Sequence, residues 1–190
     1  MVPKKSLWQT DVSFTFGQVV LIFGLLLMFS AGSLLLCYAK WEESRSGQTI
    51  DSKVEQAVAN GEGQLLTNAD WKQILTPEQY VVLREKGTEM PFTGSLLHEN
   101  RPGTYVTADC GTPLFRSEQK YDSGTGWPSF YEAMSGSSIE MVEDQSIGIV
   151  RTEVIEKGCR SHLGHVFDDG PPPTGKRFCI NSAALKFIPD

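Results

Sequence analysis

Near the end of the chain, Cys179 stands between Arg177 and Asn181 in the run Arg177-Phe-Cys-Ile-Asn181, and His162-Leu-Gly-His165 and Asp169 lie just upstream. Thiolate is the reactive form of cysteine, and neighbouring cations or hydrogen-bond donors raise its population. A cysteine accompanied by histidines is a cue for a thiol nucleophile. The alternative is a small residue buried in an apolar strand, where free cysteine is common. Imidazole, with an unperturbed pKa of about 6.5, suits proton transfer near neutral pH. The i, i+3 spacing of His162 and His165 does not place both on one face of a regular strand, which leaves one of them open to a structural role.

The elements that must hold these residues are short. After Gly87, apolar or alternating runs at Gly103–Thr107, Pro113–Phe115, Ile147–Val154, His165–Phe167 and Phe178–Phe187 are separated by Gly, Pro, Asn and Asp. That spacing predicts a mainly β domain, an antiparallel sandwich or small barrel, with Arg177–Asn181 opening a strand. Before it, Thr76-Pro-Glu-Gln79 reads as a helix start with proline at the first helical position, and Asn68-Ala-Asp-Trp71 as another. These helices are expected to flank the sheets. The turn-rich run Lys120-Tyr-Asp-Ser-Gly-Thr-Gly-Trp-Pro-Ser-Phe130 presents Trp127 between Gly126 and Pro128. It is either a core plug or one wall of a small apolar pocket.

The 190 residues, 40% hydrophobic and 21% charged, have globular composition. A net charge of −6 argues against a nucleic-acid partner. Four cysteines, widely spaced, do not make a disulfide-scaffold mini-protein. The domain is expected at residues 68–190, behind a tail (1–15), an apolar segment (16–39) and a polar linker (40–67) holding one short helix at Asp51–Ala59. The apolar segment, about as long as the roughly 20 residues a bilayer needs, predicts a single membrane-spanning helix. The positive-inside count is nearly balanced and leans towards a domain on the extracytoplasmic side.

GTEMPFTG (87–94), CGTPLF (110–115), YDSGTGWPSF (121–130), RTEV (151–154), HLGHVFDDG (162–170) and RFCINSAALKF (177–187) occur in one order, and in that order the chain resembles the B-type methionine sulfoxide reductases. The resemblance covers residues 68–190. It implies two antiparallel sheets with flanking helices, and thiol-dependent reduction of the R epimer of methionine sulfoxide in proteins and peptides, a reversible lesion with one enzyme class per epimer. It further implies that Cys179 attacks and becomes a sulfenic acid, that Arg177 favours the thiolate, and that His162, His165, Asp169 and Asn181 handle the oxygen and its proton. Trp127 would hold the substrate methyl group. A thioredoxin-like or other thiol donor is the implied reductant. The competing reading is a non-catalytic, membrane-tethered thiol module that senses oxidants.

Departures from the family matter equally. Many members carry two C-x-x-C pairs that hold a structural zinc; here the first position of each is replaced, giving Thr107-x-x-Cys110 and Glu156-x-x-Cys159. A structural zinc wants four ligands, usually with several thiolates, so no zinc or other cofactor is expected. Cys110 and Cys159 are left to stay reduced, to pair with each other, or to resolve the Cys179 sulfenic acid. Thr125 occupies the position where some relatives have the resolving cysteine.

Overall fold

The computed structural model describes residues 49–146 and 148–190, and Thr49–Asp190 form one compact unit. Three helices come first: α1 (Ile50–Ala59), α2 (Asn68–Ile74) and α3 (Pro77–Glu85). Their starts follow from local chemistry. Thr67 and Asp70 exchange side-chain-to-backbone hydrogen bonds across the first turn of α2, as Thr76 and Gln79 do for α3, so orphan amides at each N-terminus are satisfied. Lys86 ends α3 in the left-handed region at φ 57°. Trp71, Tyr80, Val82 and Leu83 turn inwards and join one core with Leu114, Phe115, Phe130, Leu163 and Ile180. Within it, the Phe115 and Phe130 rings stack with centroids 4.3 Å apart.

The unit begins earlier than the sequence suggests. Residues 49–67 are not a bare linker: Val54 of α1 is buried, and the 3-10 turn Gly63–Leu65 donates the Gln64 amide to the Gly158 carbonyl. Their polar composition disguised a segment that sends Val54 and Leu66 into the core and packs Ile50, Ala57 and Val58 against it, while Leu65 stays exposed.

Nine strands follow, in two antiparallel sheets. β1 (Gly103–Thr107), β2 (Pro113–Arg116) and β9 (Leu185–Pro189) form one, in the order β2-β1-β9. The other contains β3 (Lys120–Tyr121), β4 (Ser129–Phe130), β5 (Ile139–Asp144), β6 (Arg151–Glu156), β7 (Ser161–Phe167) and β8 (Arg177–Ile180), in the order β3-β4-β8-β7-β6-β5. The apolar run 178–187 is therefore two strands in different sheets, split by a 3-10 turn at Ser182–Ala184. Glu89 causes the break, because its carboxylate accepts the Ser182 and Ala183 amides at 2.7 and 2.9 Å. The strand expected at 147–154 runs from Arg151 to Glu156 and pairs with β5, which its weak alternation hid.

Among the described residues no helix is long and apolar enough to cross a membrane. The helices have ten, seven and nine residues, against the roughly 20 that a bilayer requires. This corrects the expectation of a single-pass membrane protein with its domain on the extracytoplasmic side. The segment 16–39 on which that expectation rested lies outside the described residues.

β7 and β8 meet at Gly164, whose φ is 157° and where an added Cβ would lie 2.1 Å from the Cys179 carbonyl oxygen. A side chain there must push apart the two strands that carry the site. Gly164→Ala is expected to cost roughly 1–3 kcal/mol from overpacking alone, read as a lower urea midpoint; an unchanged midpoint would contradict this packing.

Candidate active site

Cys179 is the free cysteine among the described residues, partly buried in the middle of β8. Backbone register decides its neighbours. Cys179 pairs with Ser129 of β4 on one side and His165 of β7 on the other. Ser129 pairs with Tyr121, and His165 with Glu153. Directly opposed residues of antiparallel strands share a face. Tyr121, Ser129, Cys179, His165 and Glu153 thus form one row across five strands. Cys179 and His165 also line a cavity of about 120 Å³ with Thr88, Trp127, Arg151, Gly164, Phe167 and Asn181. It is of a size for one small side chain, with Trp127 and Phe167 as apolar walls and His165 and Asn181 as polar ones.

Hydroxyl groups surround the sulfur. Thr125 Oγ1 lies 3.8 Å from Cys179 Sγ, and the Ser123 hydroxyl bridges Thr125 and Ser129 at 2.8 and 2.7 Å. Burial pushes the Cys179 thiol above its ordinary pKa, while Thr125, Arg177 and Ser129 pull it back. Arg177 grips Asp169 through two hydrogen bonds of 2.8 Å and stacks on Phe167, 4.4 Å from the ring centroid. Asp169 thus reaches the site by orienting Arg177, and its own side chain is 62% exposed.

The two histidines are brought together by a bulge. Register between β6 and β7 shifts at Val154/Ile155, so Ile155 opposes His162 and Val154 opposes Gly164, with Leu163 left over. The displaced residue restores both rings to one side, their centroids 5.4 Å apart at 66°. This resolves the i, i+3 problem. Their roles still differ: His165 lines the Cys179 cavity, whereas His162 lies behind it, lining a cavity with Trp71, Arg84 and Lys86. His165 Nε2 is 2.8 Å from Asp144, whose carboxyl is held well below the usual range by the Ser146 amide, His165 and Arg151. His162 Nδ1 is 2.7 Å from Glu153, which also pairs with Lys86 at 2.8 Å. Burial lowers the His162 pKa against the pull of Glu153, so the neutral ring is favoured.

Asn181 is fully engaged. Its Oδ1 accepts the Glu89 amide at 3.0 Å, and its Nδ2 donates to the Leu163 carbonyl at 2.9 Å. Since Leu163 is the bulged residue, Asn181 pins the bulge that sets the histidines. The Glu89 carbonyl accepts Trp127 Nε1 at 3.1 Å, so one buried residue ties together Trp127, Asn181 and the turn after β8. Glu89 and Glu153 lie within the strings GTEMPFTG and RTEV, where the signal was available but names no role. Asp144 and Arg151 meet the site only through the β5–β6 hairpin, and nothing in the local sequence announces Asp144.

Cys110 and Cys159 are bonded to each other and not to Cys179, with Cα atoms 6.5 Å apart. With the Glu156 carboxylate, their ligand-type atoms lie within 4.8 Å of one another, the grouping expected of a metal site. The donors are already committed. Each sulfur is bonded to the other, Glu156 accepts the Gly158 and Cys159 amides at 2.9 and 2.6 Å, and Thr107 Oγ1 accepts the Thr112 amide at 3.0 Å. This arrangement does not fit a structural zinc, which takes thiolates, not a disulfide.

Comparison with known proteins agrees with this geometry. A family model described as the SelR domain matches residues 75–189. The peptide methionine sulfoxide reductase MsrB of Leptospira interrogans is 56% identical over 121 residues, which cover 64% of this chain and 92% of that protein. MsrB of Methanosarcina barkeri is 56% identical over 118 residues, 62% of this chain and 83% of that protein. The mitochondrial methionine-R-sulfoxide reductase B2 of Danio rerio is 56% identical over 129 residues, 64% of this chain and 72% of that protein. With the family model matched over most of the domain, and a cysteine, a histidine and a tryptophan around one cavity, the chain belongs to the SelR-domain family, that of the MsrB methionine sulfoxide reductases.

Proposed function

We propose that the chain reduces methionine-R-sulfoxide in proteins and peptides, with Cys179 as the attacking thiol. The observation that carries this assignment of roles is the 120 Å³ cavity in which Cys179, His165 and Trp127 converge. A sulfoxide side chain placed there would set its methyl group against Trp127 and Phe167 and its sulfur towards Cys179. Attack forms an S–S bond to the sulfoxide sulfur as the oxygen takes a proton; His165, fixed by Asp144, is the group placed to handle it. Transfer of that oxygen to the cysteine sulfur then breaks the S–S bond and the substrate S–O bond, releases methionine and leaves Cys179 as a sulfenic acid. The substrate sulfur gains two electrons and the cysteine sulfur loses two.

Regeneration follows from what stands near the sulfur. A threonine, Thr125, stands 3.8 Å from the sulfur, and the other described cysteines are joined to each other. An external thiol therefore condenses with the sulfenic acid, releasing water and forming a mixed disulfide, and a second thiol restores Cys179. A thioredoxin-like dithiol would supply both equivalents. His162, Asn181, Asp169 and Glu89 act as positioning residues in this scheme, and no zinc takes part.

Incubating the full chain with each epimer of a methionine sulfoxide peptide and dithiothreitol is expected to consume the R epimer alone, and Cys179→Ser is expected to abolish turnover. Loss of neither epimer, or activity retained in Cys179→Ser, would refute the assignment. The hydroxyl beside Cys179 gives a second expectation. Because burial holds the thiol above its ordinary pKa, reactivity rises with pH as thiolate forms. Thr125→Val removes a group that pulls the value down, so the pH midpoint for iodoacetamide alkylation of Cys179 should move upward and the neutral-pH rate should fall severalfold. Thr125→Ser should keep the original profile. Coincident profiles for the Val variant and the original chain would show that the hydroxyl does not act on the sulfur.

A further inference from the structure

We propose that the Cys110–Cys159 disulfide does in this chain the cross-linking work that the family resemblance assigns to zinc, and that it stands outside the catalytic cycle. Cys110 lies in the loop between β1 and β2, and Cys159 in the turn between β6 and β7, so the bond joins the three-stranded sheet to the six-stranded one. Thr107 and Glu156, the replaced ligand positions, are the last residues of the strands that lead into these two loops. A cross-link there has two chemical solutions: four donors around a soft cation, or two sulfurs joined directly. Two thiols remain of the four, and they are bonded.

The residues around the bond suit the second solution. Thr107 and Glu156 satisfy the backbone of their own turns, as their hydrogen bonds to Thr112, Gly158 and Cys159 attest. Arg84 of α3 runs in parallel with the disulfide: its guanidinium pairs with Asp109 beside Cys110 and donates to the Cys159 carbonyl at 2.7 Å and to Ser161 at 2.6 Å. It also stacks on Trp71, 4.0 Å from the ring centroid. Both loops are therefore bound to each other and to one buried cation. From the other side, Gly63 lies so close that an added Cβ would sit 2.3 Å from Cys159 Sγ, and Cys159 is 2% exposed. The 3-10 turn after α1 covers that sulfur, so a reductant must enter at partly buried Cys110.

Position excludes a resolving role in the folded protein. Cys159 is in the turn that precedes β7, whereas the partner of Cys179 is His165, four residues along that strand from Ser161. At about 3.3 Å per residue that separation is on the order of 13 Å, far beyond the S–S bonding distance of about 2 Å. Formation of the clamp takes two protons and two electrons from the pair of thiols, by exchange with an oxidant of the disulfide class. A dithiol returns them and itself closes to a disulfide.

The full chain, purified without reductant, alkylated in denaturant and digested, is expected to yield a cross-linked peptide joining Cys110 to Cys159, with zinc far below one ion per chain even after growth with added zinc. Dithiothreitol should lower the thermal midpoint by on the order of 10 °C, given the 49-residue separation that the bond closes. The double variant Cys110→Ala/Cys159→Ala should show the lowered midpoint without reductant, no further fall on reduction, and unchanged iodoacetamide reactivity of Cys179 at 25 °C. One zinc per chain with both thiols free to alkylate, a midpoint indifferent to reduction, or a turnover-dependent disulfide between Cys179 and either cysteine would each overturn the proposal. Apart from the turnover-dependent disulfide, none of these readouts depends on which sulfoxide the enzyme consumes.

Discussion

Antiparallel register is the constraint on which the site depends. Cys179 has Ser129 to one side and His165 to the other because β8 lies between β4 and β7 in one particular pairing. A slip of one residue would turn the sulfur to the opposite face and replace it in the row with Phe178 or Ile180, both deeply buried in the core. That core resists the slip. Fully burying side chains of this size contributes about 1.5–3 kcal/mol each, and turning Phe178 or Ile180 out towards the cavity would forfeit it. Catalytic geometry is thus held by apolar packing on the reverse face of the same strand.

A second layer of control comes from buried polar side chains held in hydrogen-bonded networks. Glu89 places both carboxylate oxygens on the turn after β8, its amide on Asn181 and its carbonyl on Trp127. An unpaired carboxylate in that setting would be costly, so the network specifies one arrangement of wall, turn and bulge. Glu153 and Asp144 do the same for the two histidines, each holding one ring. The sulfur experiences the opposite balance: burial works against its ionisation, and only Thr125, Arg177 and Ser129 offset it. The reactive state is therefore conditional on a few hydroxyls and one cation.

The cysteine, the tryptophan and His165 were legible in the sequence because each sits in a distinctive run on a single strand or turn. The helix starts at Asn68 and Thr76 were legible for a related reason, since capping is local chemistry, although the cap of the first is Thr67. What depends on long-range pairing was not. The bulge at Leu163 arises only when β6 and Asn181 are both in place, so the spacing of His162 and His165 by itself pointed to separate faces. Asp144 reaches His165 from 21 residues away through a hairpin whose first strand alternates weakly. Glu89 breaks the 178–187 run from more than 90 positions away, and no local pattern could have revealed it. Residues 49–67 looked like a linker because Val54 and Gly63 are meaningful only against the surfaces they touch.

The central claim is that Cys179 itself receives the sulfoxide oxygen. A single turnover without reductant isolates that step: the full chain is mixed with an equimolar R-epimer peptide, then trapped with a 1,3-dione reagent selective for sulfenic acids and mapped by mass spectrometry. The expected result is stoichiometric methionine with the dione adduct confined to Cys179. Methionine formed while Cys179 stays an unmodified thiol, or an adduct at another residue, would contradict the account.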